Sequence, residues 1–301
     1  MVQASLYASS AQRNDALIGD LKNRDVLQKL ANDPTVLEFI LKLTDDELES
    51  FVTITNWSPT ILIKLRDQPE HLRVLHKMWN IVPMTDETFL RNFFEIYDHP
   101  TATRSSVLDA FSQGQIDSKI WLINTLIRLD QDLGKIWIMC GWIGTLAYLL
   151  FRKRTYLQFD SIRSFDIDPA CADLADILNR QEVKRDWMFK ASTLDVLDLT
   201  YDDCMWYTKK SDGSIERDFG SADTVINTSC EHLVDFDRWY ASIPRGKLVV
   251  LQCSSHDSHE GHVNNMDSIY ELSSRSQMKR VLYKGTLDCG QYQRHMMIGK
   301  K

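Results

Sequence analysis

The chain has 301 residues, of which 44% are hydrophobic and 26% are charged, and its formal net charge is −7. This composition is typical of a globular protein and excludes a disordered chain, and the length accommodates one large domain or two modest ones. We see no apolar run long enough to span a bilayer and no secretory signal, so we expect no membrane partner and a cytoplasmic location. The acidic balance argues against general nucleic-acid binding, which requires clustered Lys and Arg.

Residues 1–130 carry the start signals of successive helices. Asp33-Pro34 and Ser58-Pro59 each place a capping side chain before a proline at the first helical position. Thr44–Glu47 (TDDE) has the spacing of a capping box. We therefore predict an all-helical N-terminal domain over residues 1–130. It shows no catalytic signature, and it is expected to cover one edge of the following domain or to form the surface of a homodimer.

Residues 131–301 alternate between strand and helix patterns, which predicts an α/β domain. Strands separated by helices imply crossover connections and a mostly parallel, doubly wound sheet. The last two segments are predicted to form a hairpin-like pair that adds an antiparallel strand at the edge of the sheet. The predicted strands are KIWIMC, IRSFDID, WMFKAS, ADTVINTS, GKLVVLQCSS, KRVLYKGTLD and QYQRHMMIGK, and the helices between them are TLAYLLFRKR, PACADLADILNR and FDRWYASI. The second of these helices is predicted to begin with Asp168 as its cap and Pro169 at its first position.

The segment KIWIMCGWIGTLAYLL outlines a strand, a turn with two glycines and a helix. In doubly wound sheets, ligands bind beyond the carboxyl ends of the strands, where the strand order reverses. The loop Cys140–Gly144 is therefore expected beside the end of the second strand, where Asp166 is placed to bond a ribose diol. A lone G-x-x-G is equally compatible with a plain buried turn. The strand–loop–helix context and the acidic strand end favour a cofactor loop.

From Lys135 to about residue 300, the order of motifs resembles the class I S-adenosylmethionine-dependent methyltransferases. IMCGWIGTLA stands at the family's glycine-rich loop, and FDIDP stands at its acidic ribose ligand. DTVINTSCEHLVDF reproduces an acid followed by Glu-His-Leu after the fourth strand, and IPRGKLVVLQ resembles the entry into the fifth. The resemblance implies a Rossmann-like sheet of the seven-stranded type, S-adenosylmethionine as the cofactor, and methyl transfer as the reaction.

The resemblance also implies the residues that hold the cofactor. The acid that the family carries near the end of the first strand is replaced by Met139 or Cys140, so the methionine end of the cofactor must be held by other groups. Lys119, in an apolar helix just before the domain, either pairs with the cofactor carboxylate or is a solvated residue. The expected cofactor-binding set is Cys140, Gly141, Trp142, Gly144, Asp166, Ile167, Thr193, Asp195, Asn227 and Lys119.

The expected acceptor side contains Glu231, His232 and the histidine-rich loop SSHDSHEGHVNN. His232 either orients its loop or contacts the acceptor, and Glu231 either accepts bonds from free amides or shapes the acceptor pocket. In the loop, His256, His259 and His262 are spaced by three; they are open to acceptor contact or general-base catalysis, to solvation, or to metal binding. We predict catalytic roles for His232, Glu231, His256 and His259, and no resident metal.

These patterns predict an S-adenosylmethionine-dependent methyltransferase that acts on a small-molecule or modest polar acceptor. A second possibility keeps the cofactor but transfers its aminocarboxypropyl group, as in enzymes similar to nicotianamine synthase. A third is a catalytically silent Rossmann-like scaffold whose N-terminal helices bind a partner. An NAD site is less well supported, because the third glycine of G-x-G-x-x-G is absent.

Overall fold

The computed structural model describes four stretches of the chain, namely residues 87–209, 214–255, 261–290 and 292–301. The helix starts predicted at Asp33-Pro34, Thr44–Glu47 and Ser58-Pro59 lie outside the described residues. The predicted helical domain over residues 1–130 therefore stays a prediction.

By its contacts the chain divides into two compact units. The first comprises residues 1–94 and 111–113, and the second comprises residues 95–110 and 114–301. In the first unit, the ring of Phe111 packs edge-on against Phe89 and Phe93, with centroids 5.6 and 5.2 Å apart. The described helices before the sheet are α1 (Glu87–Tyr97), α2 (Arg104–Ala110) and α3 (Gln113–Leu129).

A seven-stranded sheet forms the centre of the second unit, in the order β3-β2-β1-β6-β7-β9-β8. The predicted doubly wound, mostly parallel sheet is confirmed: β3, β2, β1, β6 and β7 pair in parallel, and β9 is antiparallel to both of its neighbours. The strands are β1 (Lys135–Met139), β2 (Ser161–Asp166), β3 (Phe189–Thr193), β6 (Thr224–Asn227), β7 (Leu248–Ser254), β8 (Arg280–Asp288) and β9 (Gln293–Lys300).

The prediction that the antiparallel last strand lies at the edge is wrong. The last strand, β9, pairs with β7 on one side and with β8 on the other, so β8 is the edge strand. After β7 the chain passes through α8 (Ile269–Ser276) and forms β8 two strand positions away from β7. The hairpin turn after β8 then places β9 in the position between them. This order depends on pairing across the whole sheet, which local strand patterns do not contain.

The three predicted helices are present, each after one of the parallel strands β1, β2 and β6. The helices at these positions are α4 (Thr145–Arg152) after β1, α5 (Pro169–Leu178) and α6 (Arg180–Lys184) after β2, and α7 (Phe236–Ser242) after β6. The predicted start of α5 is confirmed: the Asp168 carboxylate accepts a bond of 2.9 Å from the amide of Ala170, and Pro169 occupies the first helical position. Among the described residues, no helix combines the length and the apolar composition needed to cross a membrane.

A β-hairpin, which the sequence analysis did not predict, occupies the connection between β3 and β6. It consists of β4 (Cys204–Lys209) and β5 (Ile215–Gly220). Trp206 from this hairpin packs edge-on against Trp137 of β1 and Phe165 of β2, with centroids 5.3 and 5.4 Å away. The hairpin therefore covers the sheet face and completes the aromatic core beneath the first two strands.

Candidate active site

The strand order reverses between β1 and β6, because the chain builds outward in one direction through β2 and β3 and in the other through β7. Crevices at such switch points are where doubly wound proteins bind ligands. Three predicted site residues lie there: Cys140 follows β1, Asp166 ends β2, and Asn227 ends β6. The fold thus brings together residues that are up to 87 positions apart in the sequence.

Three residues of the loop after β1 have positive φ. Cys140, Trp142 and Gly144 have φ values of 51°, 49° and 76°. Cys140 and Trp142 thus lie in the left-handed region, which residues other than glycine rarely adopt. Each non-glycine residue in this region costs on the order of 1–3 kcal/mol, so surrounding bonds must hold the loop.

Two such bonds involve Trp142. Its amide donates to Oδ2 of Asp166 over 2.9 Å, and its indole Nε1 donates to the Ser106 hydroxyl over 3.2 Å. The first bond joins the loop to the end of β2, and the second joins it to α2. The tryptophan within the turn is therefore a fixed part of the loop.

The two glycines permit close packing of the loop against the fold. A Cβ atom on Gly141 would lie 1.9 Å from the Ser164 hydroxyl, and one on Gly144 would lie 2.7 Å from the Asn179 side-chain nitrogen. In the structure they serve the contacts of the loop with β2 and with the end of α5.

Asp166, the last residue of β2, connects the loop to that strand. Besides the Trp142 bond, its Oδ1 accepts the Asp168 amide over 3.1 Å. Burial raises the pKa of the Asp166 carboxyl above its ordinary value, although these amide bonds act in the opposite direction. Each carboxylate oxygen has two lone pairs, so capacity for further hydroxyl donors remains.

Three other residues of the expected cofactor-binding set, Ile167, Thr193 and Asp195, lie directly after β2, at the end of β3 and shortly after β3, respectively. Ile167, next in the chain, is 68% exposed. Thr193 lies opposite Asp166 in the β2–β3 register and is exposed. Oδ1 of Asp195 accepts the Leu197 amide over 2.9 Å, so this carboxylate caps the short turn after β3. The predicted adenine side is therefore accessible, with Asp195 partly engaged by its own backbone turn.

Lys119 is buried in α3, which corrects the alternative that it is a solvated residue. Its ammonium donates to Oε1 of Gln115 over 2.6 Å. Burial and then the nearby Arg294 guanidinium lower the pKa of Lys119 to about 7. The Gln252 side chain on β7 donates to the Ser118 carbonyl over 3.0 Å and so anchors this part of α3 to the sheet.

Two buried amide side chains at the carboxyl ends of β6 and β7 have an atom without a partner in the part of the chain that is described. Asn227 accepts the Ser229 amide over 2.8 Å through Oδ1, but its Nδ2 has no partner. Oε1 of Gln252 likewise has none. Such atoms cost about 1–3 kcal/mol each unless a ligand or water completes them.

Glu231 and Arg294 form a buried ion pair that the sequence analysis missed. Nη1 of Arg294 donates to Oε1 of Glu231 over 3.1 Å and to the Thr228 carbonyl over 3.0 Å. Oε2 of Glu231 accepts the amide of Ser254 over 3.3 Å. The carboxylate thus joins β7, β9 and the turn after β6. The available sequence signal was an arginine beside His295 at the start of β9, ahead of the apolar run Met296–Ile298.

His232 and His262 lie next to each other, whereas His256 and His259 lie outside the described residues. The ring centroids of His232 and His262 are 4.8 Å apart at an interplanar angle of 83°. Nδ1 of His232 is 3.0 Å from the carbonyl oxygen of Gly261. His232 therefore bonds the histidine-rich loop, and its two predicted roles, orienting its own loop and contacting the acceptor, stay predictions.

Neither a family model nor a curated protein sequence matches this chain. The seven-stranded, mostly parallel sheet is of the type that the resemblance in the sequence implied, although β9 lies between β7 and β8 rather than at the edge. The fold is a doubly wound, Rossmann-like α/β fold with a seven-stranded sheet.

Three solved methyltransferases are similar in structure. N-methyltransferase NodS of Bradyrhizobium japonicum with S-adenosylhomocysteine has 12% identity and a TM-score of 0.44, covering 71% of this chain and 99% of its own. Magnesium protoporphyrin IX methyltransferase of Synechocystis with bound S-adenosylmethionine has 11% identity and a TM-score of 0.41, covering 76% and 96%. A putative sarcosine dimethylglycine methyltransferase of Galdieria sulphuraria has 12% identity and a TM-score of 0.45, covering 72% and 98%.

Proposed function

We propose that this protein binds S-adenosylmethionine at the carboxyl edge of its sheet and transfers the methyl group to a small-molecule acceptor. One observation carries the proposal. The strained loop Cys140–Gly144 lies at the strand-order switch point and is held there by the bond between the Trp142 amide and Asp166. Loops and acidic strand ends in this arrangement are suited to a nucleoside ligand.

The residues present fit this cofactor. Asp166 retains lone pairs for the ribose hydroxyls, and the exposed Ile167 and Thr193 flank the space expected for the adenine. The unpartnered Nδ2 of the buried Asn227 is available to the cofactor beside the loop. On the methionine side, Lys119 is the candidate for the carboxylate, since the acid usual at the end of the first strand is absent here.

The bound cofactor supplies an activated methyl group on a sulfonium centre. The protein then has to align the acceptor, exclude water and receive the acceptor's proton where there is one. His232 is suited to the last task. Its Nδ1 faces a carbonyl oxygen, which only accepts, so Nδ1 carries the hydrogen and Nε2 carries the lone pair. Glu231 is held by Arg294 and is assigned the shaping of the acceptor side. His256 and His259 stay predicted acceptor contacts.

A comparison of Asp166→Ala with Asp168→Ala tests the cofactor site by calorimetric titration with S-adenosylmethionine. Asp166→Ala is expected to weaken binding by about 10- to 100-fold, because a charged acceptor for hydroxyl donors is lost. Asp168→Ala removes only the cap of α5, so it should lower the free energy of unfolding by about 1 kcal/mol while binding stays within about threefold. Equal losses of affinity in both variants would contradict the proposed role of Asp166.

The reaction is tested by the product that forms when the protein is incubated with S-adenosylmethionine and a metabolite extract. S-adenosylhomocysteine supports methyl transfer. Methylthioadenosine would instead indicate aminocarboxypropyl transfer. Failure of the intact protein to bind the cofactor at all would favour a silent scaffold. Mass spectrometry of the incubated extract then identifies the methylated compound.

A further inference from the structure

We propose that Glu231, His232 and His262 form a binding site for a divalent transition-metal ion such as zinc. One potential ligand atom from each of the three residues lies within 4.8 Å of the other two. Two imidazole nitrogens and one carboxylate oxygen form a ligand set suited to zinc and to ferrous iron. This proposal departs from our expectation from the sequence that there is no resident metal.

His232 has the arrangement typical of a metal-binding histidine. In such residues the second ring nitrogen usually donates to a carbonyl or a carboxylate, which fixes both the tautomer and the orientation of the ring. Here Nδ1 donates to the Gly261 carbonyl over 3.0 Å, and Nε2 therefore keeps its lone pair. The His232 side chain is exposed and His262 is half-buried, so an ion can enter from solvent.

The segment that carries His262 is fixed to the backbone of Glu231. The amides of Val263 and Asn264 both donate to the Glu231 carbonyl oxygen over 3.0 Å. The Asn264 side chain also accepts a bond of 2.6 Å from Arg275. The two histidines are thus held together by bonds on either side of His262, and ordering the site requires little further loss of chain entropy.

The carboxylate of Glu231 is already oriented by its neighbours. Arg294 bonds Oε1 and the Ser254 amide bonds Oε2. Each oxygen retains a second lone pair. A zinc ion with bonds of about 2.0–2.2 Å requires ligand atoms no more than about 4 Å apart, so side-chain shifts of under about 1 Å complete the site. The positive charge of Arg294 opposes that of the ion, and we expect a dissociation constant in the micromolar range rather than a tightly structural site.

With an ion bound, Nε2 of His232 is a metal ligand and no longer receives the acceptor's proton; the ion instead lowers the pKa of the acceptor group. Three protein ligands leave at least one coordination position open. An ion here lies at the carboxyl edge beside the turn after β6, and the open position suits an oxygen or nitrogen atom of the acceptor. This role in acceptor binding rests on the proposed function, whereas the binding of the ion does not. Acceptors with a hydroxyl or phenolic oxygen are therefore the favoured class, since a bound metal lowers the pKa of such a group.

The test is calorimetric titration of chelator-treated, full-length protein with zinc chloride in the absence of S-adenosylmethionine, together with the visible absorption of the cobalt-loaded protein. We expect one zinc per chain. His232→Gln and His262→Gln should each weaken zinc binding at least tenfold and change the cobalt spectrum. Thermal unfolding checks that both variants fold. The control is His99→Gln, whose imidazole bonds Thr101 outside the cluster and whose loss should change neither signal.

A double variant with His256→Gln and His259→Gln locates the ion. If that variant abolishes zinc binding while His232→Gln and His262→Gln retain it, the proposed ligand set is wrong. Absence of zinc binding, or equal affinity in all variants, also overturns it. S-adenosylmethionine binding is measured separately on each protein. Zinc binding without cofactor binding would refute the proposed function alone, and cofactor binding without zinc binding would refute the metal site alone.

Discussion

Single polar residues buried at the carboxyl edge distinguish this site from a plain turn. Lys119 and Asn227 are both buried, and each costs stability unless a partner compensates for the lost solvation. The Lys119 ammonium donates to the Gln115 side chain. Burial lowers the pKa of this ammonium, and the nearby Arg294 guanidinium lowers it further. A carboxylate bound next to Lys119 would relieve this repulsion. The residue is therefore destabilising in the free protein and useful to an anionic group of a ligand.

The depressed pKa of Lys119 predicts a pH dependence of stability. The pKa lies at about 7 in the folded protein and at about 10.5 in the unfolded chain, so the unfolded chain binds more protons between these values. Stability must then rise with pH across this window, by at most about 1.4 kcal/mol per pH unit. Lys119→Met removes this contribution. Urea unfolding at pH 7, 8 and 9 should show that the free energy of unfolding of the wild type rises relative to that of the variant as the pH increases. If the free energies of unfolding of both proteins change equally with pH, the predicted contribution of Lys119 is contradicted.

The loop between β1 and α4 is the element on which the cofactor proposal depends. Its conformation includes two non-glycine residues with positive φ, Cys140 and Trp142, and these are maintained by bonds to β2 and α2. Gly141 allows the loop to lie directly against Ser164 of β2. The sequence predicted this loop and its acidic neighbour correctly. It did not predict that the glycine serves contact with β2, because that contact joins residues 23 positions apart.

Gly141→Ala is expected to lower the free energy of unfolding by about 1–3 kcal/mol, because the new methyl group would overlap with the Ser164 hydroxyl. Affinity for S-adenosylmethionine should fall with it, since the loop must move. Ser164→Ala removes the overlapping oxygen, so the double variant should recover part of both losses, and Ser164→Ala alone serves as the control. Chemical unfolding and calorimetry measure the two effects. No recovery in the double variant would show that the loop is limited by another contact.

At the scale of the whole molecule, the buried pair of Glu231 and Arg294 connects the turn after β6 with β9, two positions away in the sheet. Arg294 is the second residue of β9, and Glu231 lies in the turn after β6, which adjoins the switch point. The pair exists only because β9 is inserted beside β7 rather than added at the edge. The same insertion places the guanidinium of Arg294 on the candidate acceptor side of the site.

Breaking this pair should be costly. Glu231→Met and Arg294→Met are each expected to lower the free energy of unfolding by about 3–5 kcal/mol, because each leaves a buried charge without its partner. A double variant with Glu231→Met and Arg294→Met should lose less than the sum of the single losses, as expected for residues in contact. Urea unfolding of the four proteins measures the coupling. Strict additivity would contradict a direct interaction between the two side chains.

By itself, the sequence determined the succession of strands and helices from Lys135 onward, the cap and proline that begin α5, and the loop with its acidic partner. These features depend on neighbours within a few positions, where periodicity, capping and turn chemistry operate. Only the tertiary structure decided the position of β9, the burial of Lys119, the pairing of Arg294 with Glu231, and the meeting of His232 with His262. Each of these joins residues that are distant in the chain. Their proximity follows from the order in which strands pair, which the pattern of any single segment leaves open.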